Sequence, residues 1–193
     1  MVDSNRYSWI NDQAVYGGFT LTIADGVNED DVIALYGGDP SDCDMMTFEE
    51  SFNMHDGTSP DRVRTLTAIA RIHVANDRVD KETVVIAIEN NGWAALDVAR
   101  NAKKGQFFTV YRGGQGRTVI IHTADGHTLA DFEPTLMING TDVGGIVPEW
   151  AHTAEWRPGA ITTTALSLAG KVMRVDIAEE WFTKPAKTTV TPS

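Results

Sequence analysis

Apolar and polar residues follow one another in patterns that predict a mixture of strands and helices. Phe19, Leu21 and Ile23 alternate with threonines, which is the period of a half-buried strand. A helix is predicted to begin at Asn28, whose side chain can cap the free amides of the first turn, and to end at Gly37. The chain therefore opens with a strand, a turn and a helix.

A β-branched run and three further apolar segments predict most of a sheet. The run at 83–88 indicates a buried strand, and "ENNGWAALDVARNAKKG" (89–105) after it indicates a helix that stops at Gly105. Three more strands are predicted over 106–111, 117–123 and 127–132. Because the last two flank Asp125-Gly126, a strong hairpin dipeptide, this part is expected to be an antiparallel meander.

The remaining segments complete an α+β prediction. Residues 59–74 are interpreted as a helical turn or two followed by a strand, and helices are expected near 163–172 and 176–182. The segment "KPAKTTVTPS" (184–193) lacks apolar anchors and is predicted to be disordered. Since strands and helices interleave without a regular βαβ rhythm, we expect one α+β domain over 1–183, with a mainly antiparallel sheet of about five to six strands and about three to five helices.

Composition places the chain among ordinary globular proteins. It has 193 residues, of which 42% are apolar and 22% charged. The longest uninterrupted apolar runs, such as Val84 to Ile88, are about five residues long, whereas a membrane span needs roughly 20. The first residues, MVDSNRYSWINDQ, show no export signal, and we expect a cytoplasmic protein that does not enter a membrane.

Cys43 is the only cysteine, which excludes an internal disulfide and fits a reducing compartment. The neighbouring Asp42 and Asp44 are expected to raise the pKa of its thiol rather than to stabilise a thiolate. Cys43 is therefore not predicted to act as a nucleophile.

The formal net charge of −11 is concentrated in the first third of the chain. Residues 1–60 contain twelve acidic residues and one basic residue, Arg6, whereas residues 61–193 contain fifteen of each. A negative field repels phosphates, so nucleic acid is not an expected ligand of this third. Nucleic-acid binding through the neutral remainder is the last-ranked hypothesis, because that part lacks a basic stripe, and no nucleic acid is predicted as a partner. The same field attracts basic groups, and we expect the partner to be a protein with a basic surface.

Residues 30–50 form the most acidic stretch, with seven carboxylates and no Lys or Arg. Asp30 and Asp31 suit the start of the predicted helix, and Asp39 suits a turn with Pro40. The other four carboxylates have no evident local role and are interleaved with Met and Phe side chains. They are Asp42, Asp44, Glu49 and Glu50. This mixture is typical of a surface that docks on a basic protein groove.

The first functional hypothesis is a non-enzymatic interaction protein that acts through this acidic face. Its predicted partner-binding residues are Asp42, Asp44, Glu49, Glu50, Phe48 and Trp150. Trp150 is included because aromatic residues are enriched at interface hot spots and this one lies in a region flanked by Gly and Pro. The simpler interpretation is a solvated acidic loop whose Met and Phe side chains cover the core.

The second hypothesis is an enzyme, or a binder of a metal or a small ligand, that uses two histidines. His122 and His127 lie on either side of the Asp125-Gly126 turn, so that both side chains would share one sheet face. Two imidazoles can begin a zinc site, with Asp131 as a candidate third ligand, although an exposed pair without metal is the simpler interpretation. No catalytic residue, metal site or cofactor is predicted.

Four pieces of the sequence resemble an uncharacterised actinobacterial family, a domain of unknown function. They are "GVNEDDVIALYGGDP", "VVIAIENNGW", "TADGHTLADFEP" and "ALSLAGKVMRVDIAEEWF", and they span most of residues 19–182 in the family's order. The resemblance implies an actinobacterial or actinophage source. It implies no activity and no site residues, because none is established for the family.

Overall fold

One antiparallel sheet organises the part of the chain that the structure describes. A computed structural model describes residues 4–12, 18–55, 69–75, 83–90, 93–141 and 144–190. The strands are β1 (Gly18–Asp25), β2 (Asp44–Met46), β3 (Ile69–Ala75), β4 (Val84–Asn90), β5 (Gln106–Gly113), β6 (Thr118–Ala124), β7 (His127–Phe132) and β8 (Ala186–Val190). All neighbouring strands are antiparallel, and their order in the sheet is β2-β8-β3-β4-β1-β5-β6-β7.

Helices cover both faces of this sheet. After a 3-10 turn (Ser4–Tyr7), they are α1 (Trp9–Asp12), α2 (Glu29–Leu35), α3 (Phe48–His55), α4 (Ala94–Asn101), α5 (Pro134–Ile138), α6 (Glu149–His152), α7 (Ile161–Met173) and α8 (Glu180–Thr183). Helix α7 packs on one face, whereas α2 and α4 pack on the other. Across the residues described, no helix combines the length and the apolar character that a membrane crossing requires.

The predicted α+β fold with a mainly antiparallel sheet is confirmed. The described residues supply eight strands where about five to six were expected, because β2 and β8 were not recognised in the sequence. They also supply eight helices where about three to five were expected, and several of these are single turns of four or five residues. The strand expected near 68–74 is β3. The helical turn expected before it lies outside the described residues.

Strand β1 is buried on both faces, not on one. Phe19, Leu21 and Ile23 face α7 as their alternation predicts, but the threonines between them are also inaccessible to solvent. Thr22 shares a hydrogen bond of 2.9 Å with Thr109 of β5 through the two hydroxyl oxygens, and the Tyr36 hydroxyl donates to Thr22 at 3.3 Å. These bonds satisfy the buried hydroxyls, so that threonines can occupy a second core layer.

The start of α2 agrees with the predicted cap. The Asp31 amide donates to the Asn28 side chain at 2.7 Å, and the Asn28 amide lies 3.5 Å from the Asp31 carboxylate, which completes a capping box. Helix α4 begins at Ala94, a few residues after the cap near Asn91 that the sequence predicted, and Glu89 and Asn90 still belong to β4.

The predicted disordered tail over 184–193 is wrong for residues 186–190, which form β8. This strand pairs with β2 on one side and β3 on the other. Its threonines at 188 and 189 are buried, and no side chain fits at Gly38, where a Cβ atom would lie 2.2 Å from the Thr189 hydroxyl oxygen. Large apolar anchors are unnecessary here because backbone hydrogen bonds on both sides hold the strand.

Candidate partner-binding edge

Strand β2 forms one outer edge of the sheet. It pairs with β8, with Asp44 opposite Thr188 and Met46 opposite Ala186. No strand of the described residues pairs with its other side. An edge of this kind presents unpaired backbone amides and carbonyls to the surroundings, and these groups are a template for another strand.

A turn built around Asp39 directs the chain from α2 into β2. The Ser41 amide and hydroxyl both donate to the Asp39 carboxylate, at 2.9 and 2.7 Å. These bonds hold the pKa of Asp39 below its ordinary value, because they stabilise the charged carboxylate. Asp39 therefore has the local turn role that its position next to Pro40 predicts.

The exposed charge of this edge is entirely negative. Asp42, Asp44 and Glu49 are all exposed, and none of them forms an ion pair within the described part of the chain. Lys187 of β8 lies opposite Met45 and binds Glu29 at 2.5 Å. We call Asp42, Asp44, Met45 and Glu49 the acidic edge.

Two of the predicted partner-binding residues have structural roles. Glu50 closes a capping box at the start of α3, because its carboxylate accepts from the Thr47 amide at 2.7 Å while its own amide donates to the Thr47 hydroxyl at 3.2 Å. Phe48 packs against the core, with its ring centroid 5.5 Å from that of Phe182. The Thr47-x-x-Glu50 spacing is the sequence signal that would have revealed the first of these roles.

Trp150 lies far from the acidic edge. Its ring is 6.0 Å from Phe108 of β5 and 5.9 Å from Phe132 of β7, centroid to centroid. Because β7 and β2 are at opposite ends of the sheet, the structure does not bring Trp150 together with the acidic residues. It is half-buried against the core and is not the exposed anchor that its Gly- and Pro-flanked position suggested.

The Cys43 thiol is adjacent to this edge and is held in its protonated form. Burial is the main factor that raises its pKa, and Asp42 adds to the effect while Lys187 opposes it. The thiol donates to the Asp39 carbonyl at 3.3 Å. A raised pKa for Cys43 agrees with the sequence prediction, although the main cause is desolvation and not the charge of the neighbouring aspartates.

The two histidines do not form an exposed pair. His127 is exposed, but His122 is only 6% exposed and packs on Phe108 at 5.3 Å between ring centroids. The Gln106 side-chain nitrogen lies 2.7 Å from His122 Nε2, and because an amide nitrogen only donates, the imidazole accepts in its neutral form. Burial lowers the pKa of His122, which agrees with that neutral state.

Asp131, the third candidate ligand, lies on the opposite face of the sheet. Arg100 of α4 binds both of its carboxylate oxygens, at 2.8 and 3.1 Å. A β-bulge between His122 and Thr123 changes the register with β7, and the sequence gives no sign of it. In the ranges described, no group of three His, Cys, Asp or Glu residues is placed to hold a metal ion.

Sequence reasoning missed a buried carboxylate at Glu89. This side chain is 0% exposed, and its two oxygens accept from the amides of Ala94 and Ala95 at 3.1 and 2.9 Å. Trp93, the residue in the N-cap position of α4, makes no capping bond with its side chain. Glu89 therefore caps α4 from the end of β4.

Burial raises the pKa of Glu89 to about 7, although the two amides and the nearby Asp97 also act on it. The amides lower the pKa and Asp97 raises it, so desolvation is the dominant cause. Because solvent does not reach the carboxyl group, we expect its protonation to affect the free energy of unfolding. The signal in the sequence was a glutamate at the end of a predicted buried strand, shortly before a predicted helix.

Comparisons with known proteins add no further constraint. No family model, no curated protein and no solved structure matches this chain. The resemblance to an uncharacterised actinobacterial family therefore stays a prediction from the four sequence pieces.

Proposed function

We propose that this protein is a non-enzymatic, cytoplasmic interaction protein that binds an extended basic segment of a partner protein along β2. The observation that carries the proposal is the acidic edge itself. It combines an edge strand that is unpaired on one side, within the described residues, with three exposed carboxylates that have no ion-pair partner there. Nucleic acid is not proposed as a ligand, since phosphates are repelled by this charge.

The backbone of β2 supplies the attraction that does not depend on sequence. A partner segment that adds as a further strand gains main-chain hydrogen bonds, and its alternate side chains determine specificity. Met45, which is 63% exposed, offers an apolar contact on this strand. Because β2 has three residues, the strand alone supports a modest affinity that charge must supplement.

The charge of the edge selects which strand can be added. Carboxylates at Asp42 and Asp44 repel an acidic segment, and they also repel the same edge of a second copy of the chain. Lysine or arginine side chains on the added strand replace this repulsion with attraction. The alternative is that the short, charged β2 only protects the sheet from aggregation, as many natural edge strands do.

Neutralising the edge is expected to weaken binding of a basic strand-forming peptide by roughly 10-fold or more, since three exposed charge pairs each contribute a few tenths to 1 kcal/mol. The probe is a fluorescent peptide of alternating lysine and valine, measured by anisotropy. The variant is Asp42→Asn/Asp44→Asn/Glu49→Gln. Raising the salt concentration from 50 to 300 mM is expected to have an effect in the same direction.

Two controls separate the edge from general electrostatics. The triple variant Glu149→Gln/Glu155→Gln/Glu180→Gln changes the net charge equally at exposed positions elsewhere and is expected to bind almost normally. A peptide with methylated backbone amides keeps its charge but cannot pair as a strand, and it is expected to bind far more weakly. Equal losses in both triple variants, or normal binding of the methylated peptide, would refute the proposal.

A further inference from the structure

A cleft lies between α6, with the residues that follow it, and α7. Trp150, Thr153 and Ala154 form one wall, and Leu168, Lys171 and Val172 form the other. Its volume is about 240 Å³. The cleft lies at the opposite end of the sheet from the acidic edge, because Trp150 packs beside β5 and β7.

The walls of this cleft are held by the core beneath them. The Trp150 indole packs on Phe108 and Phe132, and the Thr153 hydroxyl donates to the Trp150 carbonyl at 3.0 Å. On the other wall, Leu168 is 3% exposed, so its side chain is fixed by packing. Because the side chains of these walls are already fixed, a ligand can bind in the cleft without a large entropic cost of ordering them.

Lys171 is the charged group of the cleft. Its side chain is exposed, and it forms no ion pair with any acidic residue that the structure describes. Other exposed lysines, such as Lys103, also form no ion pair with the described acidic residues, and Lys171 differs from them in that it lines the cleft. The long apolar stem of a lysine can lie along such a wall while the ammonium stays at the mouth in water.

We propose that this cleft binds a small carboxylate with a compact apolar body, such as one aromatic ring. The aromatic ring is removed from water and inserts between Trp150 and Leu168. The carboxylate stays hydrated at the mouth of the cleft and pairs with Lys171. The volume admits about ten non-hydrogen atoms at ordinary packing density. A ligand of this size and a single exposed ion pair correspond to a dissociation constant on the order of 0.1–1 mM.

Phenylacetate tests this inference, with the neutral phenylacetamide and with acetate as comparison ligands. We expect saturable shifts of backbone NMR signals at 153–154 and 168–172 with phenylacetate, at least fivefold weaker binding of phenylacetamide, and no binding of acetate at equal concentration. The variant Lys171→Met is expected to bind phenylacetate and phenylacetamide equally. Because Lys171 is exposed, this variant keeps its fold.

Two further variants show whether binding depends on the open cleft and on the charge at its mouth. Ala154→Phe fills the cleft and is expected to abolish binding of both aromatic ligands, whereas Lys103→Met removes an exposed charge elsewhere and is expected to change nothing. The inference is overturned if phenylacetate causes no saturable shifts at 10 mM, on the order of ten times the weakest expected constant. It is equally overturned if Lys171→Met retains the preference for the anion, or if Lys103→Met abolishes it.

Discussion

A chain that ends at Thr183 is expected to lose roughly 4 kcal/mol or more of its unfolding free energy, or to fail to fold, because it lacks β8. This strand lies inside the sheet, between β2 and β3. Its removal exposes the edge of β3, deprives β2 of its strand partner and removes buried side chains at Ala186, Thr188 and Thr189. Urea denaturation measures the loss, and a decrease in Tm of about 10 °C or more accompanies it.

A chain that ends at Val190 is the matched control, since it keeps β8 whole. It is expected to unfold at the same urea concentration as the full chain. Equal stability of the chain that ends at Thr183 would show that β8 contributes nothing, as expected of a disordered tail. The two truncations thus distinguish the sequence prediction from the structure in one experiment.

The second large effect concerns the buried carboxyl of Glu89. Between about pH 5 and pH 8, the stability of a Glu89→Gln variant relative to the native protein is expected to rise by on the order of 3 kcal/mol. The ordinary pKa of this group is 4.5, and in the folded protein it is about 7. Above pH 4.5 the unfolded chain releases this proton while the folded chain keeps it, so the native protein loses stability as the pH rises toward 7.

The glutamine side chain has no such proton, so the contribution of position 89 no longer depends on pH. Other ionisable groups near Glu89, among them Tyr36, Asp97 and Tyr111, are present in both proteins and cancel in the difference. Glu149→Gln removes an exposed carboxylate and is expected to give a stability curve parallel to the native one. Parallel curves for Glu89→Gln from pH 5 to pH 8 would contradict the burial argument.

Alternation and capping signals predicted much of the fold. The hairpin at Asp125-Gly126 and the cap at Asn28 depend on residues within a few positions, and both are found where expected. Burial of the second face of β1 was not predictable, because threonine is also common on solvated strands. What decides it is the packing of α2, the next element along the chain, together with α4, which belongs to a distant part of the sequence.

The candidate edge was predictable only in part. Local composition identified Asp42, Asp44 and Glu49, and these are exposed without an ion-pair partner in the residues described. It could not show that they lie beside an edge strand, since the pairing of β2 with β8 joins positions more than a hundred residues apart. Trp150 was assigned from its flanking residues, whereas its position depends on contacts with Phe108 and Phe132 in the meander.

The place of β8 in the sheet also sets the moment at which the acidic edge can form during synthesis. β2 (Asp44–Met46) is translated well before its strand partner β8, which begins at Ala186. At ordinary translation rates the ribosome needs roughly ten seconds to cover that interval. Throughout this delay the nascent chain displays Asp42 and Asp44 without the strand that orders them. A partner that requires the completed edge therefore engages the chain only after β8 has been synthesised.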